Sequence, residues 1–81
     1  MNVPVKIEAL INARAVELGI PKPESDTDLF QNGILDSFAV ASLISAIEEE
    51  LKITIPDSDV DESNLISLRS IVNYIRDLQI K

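Results

Sequence analysis

The sequence of 81 residues contains no cysteine, no histidine and no tryptophan. Without cysteine the chain can form neither a disulfide nor a thiolate nucleophile, and without histidine it lacks the commonest general base and metal ligand. Catalytic devices of the Ser-His-Asp and Cys-His kinds therefore cannot be built. We predict that the chain is not an enzyme, that it has no catalytic residues of its own and that it holds no metal ion.

Basic residues are also scarce, because 7 lysines and arginines stand against 14 aspartates and glutamates, for a formal net charge of −7. Such a charge repels phosphate backbones, so we expect no nucleic-acid partner, whereas a basic patch on a partner protein fits well. No apolar run approaches membrane-spanning length, and the N-terminus lacks the pattern of a signal peptide. We expect a cytoplasmic protein without membrane insertion, and we expect a monomer.

What is present is enough apolar sequence for one core: 46% of the residues are hydrophobic, which predicts a single domain over residues 1–81. The first helix is predicted from about Pro4 to Leu18, because apolar residues recur there at three- and four-residue steps. Gly19, Pro21 and Pro23 end it. Its predicted buried stripe consists of Ile7, Leu10, Ile11, Ala15 and Leu18.

A long connection from Gly19 to Asp36 follows. Loops of this length are usually functional or disordered, but five apolar residues predict that this one packs against the bundle. A helical turn is expected after the capping-box-like segment 25–28, and Gly33 is expected to supply a backbone angle that side chains resist. The five anchors are Ile20, Leu29, Phe30, Ile34 and Leu35.

The second helix is predicted from Ser37 to Leu51, with its core stripe at Val40, Leu43, Ile44, Ile47 and Leu51. A second, largely neutral face near its start is typical of a docking surface for partner proteins. For Phe38 the pattern allows both docking and packing against a neighbouring segment. The predicted docking residues are Phe38, Ala41, Ser42 and Ser45.

The remaining segment is predicted to complete a four-helix bundle. Residues 52–56 alternate in polarity but end in proline and have no partner strand, so they are expected to form an extended linker with Ile53 and Ile55 in the core. A short third helix is predicted near Asp59 to Asn64, in an acidic turn that is expected to be solvated instead of binding calcium. The acids of this turn are Asp57, Asp59, Asp61 and Glu62.

The last helix is predicted from a cap at Ser67 to about Gln79. Apolar residues recur there at helical spacing. Tyr74 is expected to pack beside this stripe with its hydroxyl in water. The stripe consists of Leu68, Ile71, Val72, Ile75 and Leu78.

Ser37 is the residue on which a function can be placed. It lies at or next to the cap of the second helix, where unpaired N–H groups and the helix dipole favour a negative group such as a phosphodiester. A serine at a helix start is, however, most often only a cap. Physical reasoning alone leaves both interpretations open.

The segment Leu35-Asp36-Ser37-Phe38, followed by an apolar helix, by Ile47-Glu48-Glu49-Glu50-Leu51 and by Ile53-Thr54-Ile55-Pro56-Asp57, resembles the acyl and peptidyl carrier protein family. The likeness extends from about Asp28 to Ile75. It implies an all-α, acyl-carrier-protein-like four-helix bundle with a long loop after helix 1 and a short helix 3. It also implies that a phosphopantetheinyl transferase attaches 4′-phosphopantetheine from coenzyme A to Ser37, and that Asp36 assists by positioning magnesium and the coenzyme.

Two departures indicate the branch of the family. Fatty-acid carriers usually have acidic residues where this chain has Ala39 and Ser42, and the segment Gly33-Ile34-Leu35-Asp36-Ser37 is similar to that of D-alanyl carrier proteins and stand-alone carriers of specialised pathways. The resemblance therefore implies a thioester carrier that is loaded by an acyl- or aminoacyl-adenylating ligase and serves a downstream acyltransferase or synthase. The alternatives are a fatty-acid or polyketide carrier and, in another class, a helical interaction module with an unmodified Ser37.

Overall fold

The computed structural model describes residues 3–80 of the chain. Within that range it contains α1 (Val3–Leu18), α2 (Ser37–Leu51), a 3₁₀ turn (Asp57–Asp59), α3 (Glu62–Leu65) and α4 (Leu68–Ile80), and it contains no strand. The predicted all-α bundle with a long first loop and a short third helix is confirmed. None of the helices in the described range is long and apolar enough to cross a lipid bilayer.

α1 occupies the middle of the bundle, because it packs against both α2 and α4, while α3 packs against α4. The predicted stripe of α1 is confirmed at Ile7, Ile11 and Ala15, which are buried, and Leu10 packs at the edge of the core. Leu18 was placed wrongly: its side chain is 41% exposed, since it is the last helical residue and the chain turns away at Gly19 with φ +72°.

The buried line of α2 runs along residues four apart. Leu43, Ile47 and Leu51 are buried as predicted, but Ala39 takes the first place in this line, and Val40 and Ile44 pack at its edge. Residues at i and i+4 lie above one another on a helix, which explains the regular step. A small alanine at this point brings the start of α2 close to its neighbours.

The third helix starts later than predicted. Pro56 opens the 3₁₀ turn, and α3 begins only after Asp61, whose carboxylate accepts hydrogen bonds from the Asn64 N–H at 3.0 Å and from the Ser63 hydroxyl at 2.7 Å. The hydrogen bond from Ser63 is the main reason that the pKa of Asp61 lies below its ordinary value. The predicted helix from Asp59 to Asn64 is therefore divided, because Asp59 ends the 3₁₀ turn and Asp61 caps α3 within that range.

α4 begins as predicted, with the Ser67 hydroxyl accepting the Ser70 N–H at 3.1 Å. Tyr74 packs against the core as predicted, but its hydroxyl, which was expected to be in water, donates to Asp59 Oδ2 at 2.7 Å. Burial, and then this hydrogen bond, raise the pKa of Tyr74 to about 12. The contact joins α4 to the 3₁₀ turn. The stripe of α4 is buried at Leu68, Ile71 and Ile75 and half-buried at Val72 and Leu78.

Candidate functional site

The long loop is anchored into the core along its second half, as predicted. Leu29 and Ile34 are completely buried, and Leu35 is nearly so. The Leu29 N–H donates to the Ile66 carbonyl at 2.8 Å, and the Leu35 N–H donates to the Leu29 carbonyl at 2.8 Å. The loop is thereby fixed to the junction between α3 and α4 and closed on itself.

Local turns in the loop come from short polar side chains. Asp28 Oδ1 accepts the N–H groups of Phe30 at 3.0 Å and Gln31 at 2.9 Å, so the predicted helical turn starts at Asp28. Asn32 Oδ1 accepts the Ile34 N–H at 3.1 Å. Gly33 has φ +87°, a left-handed angle that glycine adopts at little cost. These turns direct the chain into the buried pair Ile34 and Leu35.

Arg14 of α1 makes a tertiary contact with the loop that the sequence did not reveal. Its Nε donates to the Ile34 carbonyl at 3.2 Å, and its Nη1 lies 2.9 Å from Glu17 Oε1. Because Ile34 is three residues before Ser37, this bond fixes the end of the loop on α1. An arginine at an outward helical position gives no sequence signal for such a contact, since its partner is a backbone carbonyl.

Asp36 is the N-cap of α2. It has extended backbone angles, and its Oδ1 accepts the Ala39 N–H at 2.7 Å. Ser37 is thus the first helical residue, and it is exposed. Asp36 therefore satisfies one orphan N–H of the helix start, and the Ser37 hydroxyl is not needed as the cap.

The electrostatic setting of Ser37 suits an anionic substituent. α2 is 15 residues long and has no acidic residue in its first turn. The first N–H groups of a helix have no intrahelical acceptors, and the dipole places partial positive charge there. A phosphodiester on the Ser37 oxygen would meet this positive end, although the neighbouring Asp36 carboxylate opposes it in part.

The four residues predicted for docking are all exposed. Phe38 is 81% exposed, so it does not pack into the core. Phe38, Ser42 and Ser45 recur at steps of four and three and lie along one side of α2. This side of α2 is therefore uncharged and carries one large apolar side chain.

An open groove runs between α1 and α2 beside this surface, with a volume of about 390 Å³. The chain segments on either side of Ser37 contribute to it through Leu35, Phe38 and Ala39. The periodicity of single helices could not reveal the groove, because it depends on how α1 and α2 cross. Its remaining lining residues are Leu10, Ile11, Ala13, Arg14, Glu17, Ser42, Leu43 and Ala46.

Glu48 fixes the other end of α2. Its Oε2 accepts the Ile55 N–H at 2.7 Å, and its carbonyl accepts the N–H groups of Lys52 and Ile53. Lys52 takes the left-handed conformation with φ 57°. The extended linker is confirmed, with Ile55 buried and Ile53 half-buried.

The acidic turn after the linker does not gather its carboxylates around one point. Among the described residues, no group of three or more histidine, cysteine, aspartate or glutamate side chains is placed to hold a metal ion. Asp59 instead accepts the Tyr74 hydroxyl and Asp61 caps α3. These two carboxylates therefore have structural partners.

Comparison with known proteins gives two findings. Residues 8–75 match the model of the family described as "Phosphopantetheine attachment site". The chain is also similar to D-alanyl carrier proteins, with 35% identity over 63 residues to that of Bacillus mycoides (strain KBAB4), covering 78% of this chain and 80% of the relative.

Two further relatives give the same picture. The D-alanyl carrier protein of Bacillus velezensis (strain DSM 23117 / BGSC 10A6 / LMG 26770 / FZB42) is 34% identical over 58 residues, covering 72% of this chain and 74% of the relative. That of Bacillus cereus (strain B4264) is 35% identical over 63 residues, with coverage of 78% and 80%. The matches include the end of the long loop and α2.

Proposed function

The chain belongs to the phosphopantetheine-attachment family of carrier proteins, and from this premise we propose that Ser37 is the residue that receives the group. Members of the family carry 4′-phosphopantetheine covalently and work with partner enzymes such as a transferase and a ligase. The observation that supports Ser37 is its exposed position as the first residue of α2, directly after the capping Asp36.

The proposed attachment has a simple chemical balance. The Ser37 oxygen forms a bond to the phosphorus next to the pantetheine part of coenzyme A, the phosphoanhydride bond breaks and the adenosine-containing half leaves. The hydroxyl proton goes to a base of the transferase, since the chain has no histidine to accept it. The attached group supplies a terminal thiol that carries an acyl or aminoacyl unit as a thioester.

Asp36 has a double role in this proposal. Its Oδ1 caps α2 through the Ala39 N–H at 2.7 Å, which fixes the backbone on both sides of Ser37. A carboxylate has two oxygens with several lone pairs, so Asp36 retains acceptor capacity toward a magnesium ion brought with coenzyme A. We assign it to positioning during attachment.

For the cargo, we propose an aminoacyl or small acyl unit loaded by an adenylating ligase and passed to a downstream acyltransferase or synthase. The relatives named above are D-alanyl carriers, and their similarity favours this branch over the fatty-acid or polyketide alternative. The uncharged exposed side of α2 also favours it, because Ser42 on that side provides no carboxylate for a basic synthase. An unmodified interaction module is not favoured, since the family match includes Ser37.

We further propose that the carrier has no catalytic activity of its own and acts as a cytoplasmic monomer. Coenzyme A and ATP, the cosubstrates of the proposed transferase and ligase, are cytoplasmic metabolites. We propose that partners bind the exposed side of α2 formed by Phe38, Ala41, Ser42 and Ser45.

The attachment is tested by incubating the purified chain with coenzyme A, magnesium and a broad-specificity phosphopantetheinyl transferase, followed by intact-protein mass spectrometry. We expect the wild type to gain the mass of one phosphopantetheinyl group and Ser37→Ala to gain none. Ser58→Ala is the matched control, because Ser58 is an exposed serine in the 3₁₀ turn. An equal gain in Ser37→Ala would refute the assignment.

A further inference from the structure

The peptide group between Ile34 and Leu35 is held at both of its ends. Its carbonyl oxygen, on Ile34, accepts Nε of Arg14 in α1 at 3.2 Å. Its N–H, on Leu35, donates to the Leu29 carbonyl at 2.8 Å, and the Leu29 N–H donates in turn to the Ile66 carbonyl between α3 and α4. Because a peptide group is rigid and planar, these contacts fix one plane of the loop between α1 and the junction of α3 and α4.

The Ile34 carbonyl depends on Arg14. Ile34 is completely buried, so water does not reach it, and among the described residues the Arg14 guanidinium is the one donor that its carbonyl has. A buried carbonyl that loses its donor costs free energy, because it has given up its hydrogen bonds to water. Without Arg14, a rotation of this peptide group toward water is therefore favoured.

This peptide group lies just before the proposed attachment residue. Only Leu35 and Asp36 stand between Ile34 and Ser37. The other hydrogen bonds of residues 33–36 join residues that are close in sequence, so they shape the chain locally without tying it to another helix. Arg14 is thus the hydrogen-bonding link between α1 and the segment that places Ser37.

We propose that Arg14 is a positioning residue for the attachment reaction, because its bond to the Ile34 carbonyl keeps Ser37 where a transferase meets it. This inference rests on the proposed attachment at Ser37. Arg14 touches neither the hydroxyl nor the coenzyme and acts through the backbone of the loop. Its removal therefore lowers the fraction of chains that are ready for attachment and leaves the chemistry of the bound complex unchanged.

The first test measures the attachment kinetics of Arg14→Met, which keeps an unbranched side chain but has no donor. If Ser37 is correctly placed in about one fifth of the variant chains, KM for the carrier rises about fivefold, since apparent affinity falls with the competent fraction. The expected kcat is that of the wild type. An unchanged KM, or a fall in kcat alone, would overturn the inference.

Two controls separate the contact with the carbonyl from the effect of charge. Arg69→Met removes an exposed arginine that is paired with Asp26, so it changes the net charge of the chain by the same amount. Glu17→Ala removes the ion pair of Arg14 and leaves the bond to Ile34. Both variants should keep KM within about twofold of the wild type, because exposed ion pairs contribute little. A fivefold rise in either one would overturn the inference.

The second test uses the unmodified chain without a transferase. Amide hydrogen exchange reports local opening, and the Leu35 N–H belongs to the peptide group that Arg14 holds. In Arg14→Met this amide is expected to exchange about tenfold faster than in the wild type, whereas the Leu29 amide, bonded to Ile66, should be unchanged. Unchanged exchange at Leu35 would overturn the inference even if KM rises, since Arg14 would then act by contact with the transferase. Equal acceleration at both amides would also overturn it, because the whole bundle would be loosened.

The two tests together distinguish a failure of this inference from a failure of the proposed function. If the wild type gains no phosphopantetheinyl group, attachment at Ser37 is refuted, and a role of Arg14 in it is refuted as well. If the wild type and Arg14→Met are both modified with the same kinetics, the attachment stands and only the positioning role is refuted.

Discussion

The two connections of α2 are built differently. The loop that enters α2 is 18 residues long from Gly19 to Asp36 and is held by completely buried side chains, with Leu29 and Ile34 in its second half. The linker that leaves it is short, buries one side chain, Ile55, and is bonded to the Glu48 carboxylate, which accepts the Ile55 N–H at 2.7 Å. The backbone of each connection is thus fixed although neither connection contains a strand or a long helix.

The two connections differ in how much packing and how much hydrogen bonding fix their backbones. The entering loop must end at one place, so that Ser37 points outward. Packing can fix it there, because buried apolar groups tolerate little displacement. The leaving linker has only to reach the acidic turn, and one buried side chain, Ile55, together with one hydrogen bond to a charged group, fixes it. If this account is right, the entering side is sensitive to lost volume and the leaving side to lost acceptors.

The largest expected effect is at a buried side chain in the second half of the entering loop. Leu29→Ala removes a completely buried side chain and should lower the free energy of unfolding by about 2 to 5 kcal/mol. Ile53→Ala, in the leaving linker, removes a half-buried side chain and should cost less in proportion to its smaller buried area. Urea unfolding followed by circular dichroism measures both. Equal losses would contradict the division described above.

The second effect concerns the acceptor at the leaving linker. Glu48→Ala leaves the part-buried Ile55 N–H without its acceptor and should cost about 1 to 3 kcal/mol. Glu48→Gln keeps a side-chain oxygen and should cost less. Glu49→Ala, at an exposed neighbouring position, is the control and should be close to neutral. The comparison fails if Glu48→Ala and Glu49→Ala melt alike.

The third effect separates the two roles of Asp36. Asp36→Ala removes the cap of α2 and should cost about 1 kcal/mol of stability. Asp36→Asn retains a good capping oxygen and should be nearly as stable as the wild type. If the carboxylate also positions magnesium, both variants will accept phosphopantetheine slowly. A normal attachment rate in Asp36→Asn would show that the negative charge of Asp36 is not needed for attachment and that Asp36 acts only as the cap of α2.

The smallest effect lies beyond the leaving linker, at the contact between Tyr74 and Asp59. Tyr74→Phe should cost about 0.5 to 1 kcal/mol at neutral pH, since water replaces the lost partner of Asp59. Because folding raises the pKa of Tyr74 from 10.0 to about 12, its contribution is complete below pH 10 and is lost as the pH rises from 10 to 12.

That pH dependence can be measured as a difference between two proteins, in which the contributions of the other titrating groups cancel. The difference in unfolding free energy between the wild type and Tyr74→Phe should shrink between pH 10 and pH 12, the window set by the pKa shift of Tyr74. Lysines titrate in the same range, but they are common to both proteins. A difference that stays constant across this range would show that burial and the hydrogen bond to Asp59 do not raise the pKa of Tyr74.

Much of the fold could be predicted because it depends on local patterns. The spacing of apolar residues predicted α2 at Ser37–Leu51 with the bounds that the structure shows, and the apolar anchors predicted a packed loop. Gly33 was correctly expected to have a special angle. These features depend on the chain's own periodicity and on steric rules for single residues.

The contacts that sequence reasoning missed join polar groups that are separated along the chain. Arg14 to the Ile34 carbonyl, Glu48 to the Ile55 N–H and Tyr74 to Asp59 each depend on how elements meet in space. The sequence does not distinguish a polar side chain that is surrounded by water from one that is hydrogen-bonded within the protein. The division of the third helix was missed for a related reason, since Asp59 and Asp61 are both suitable caps and only the local backbone selects between them.

The most direct test of the central claim locates the attached group on the peptide. The chain, once modified with coenzyme A and a transferase, is digested and the modified peptide is fragmented in a mass spectrometer, which distinguishes Ser37 from the nearby Ser42 and Ser45. We predict that the phosphopantetheinyl group is found on Ser37 alone. Its presence on any other serine, or on none, would contradict the account.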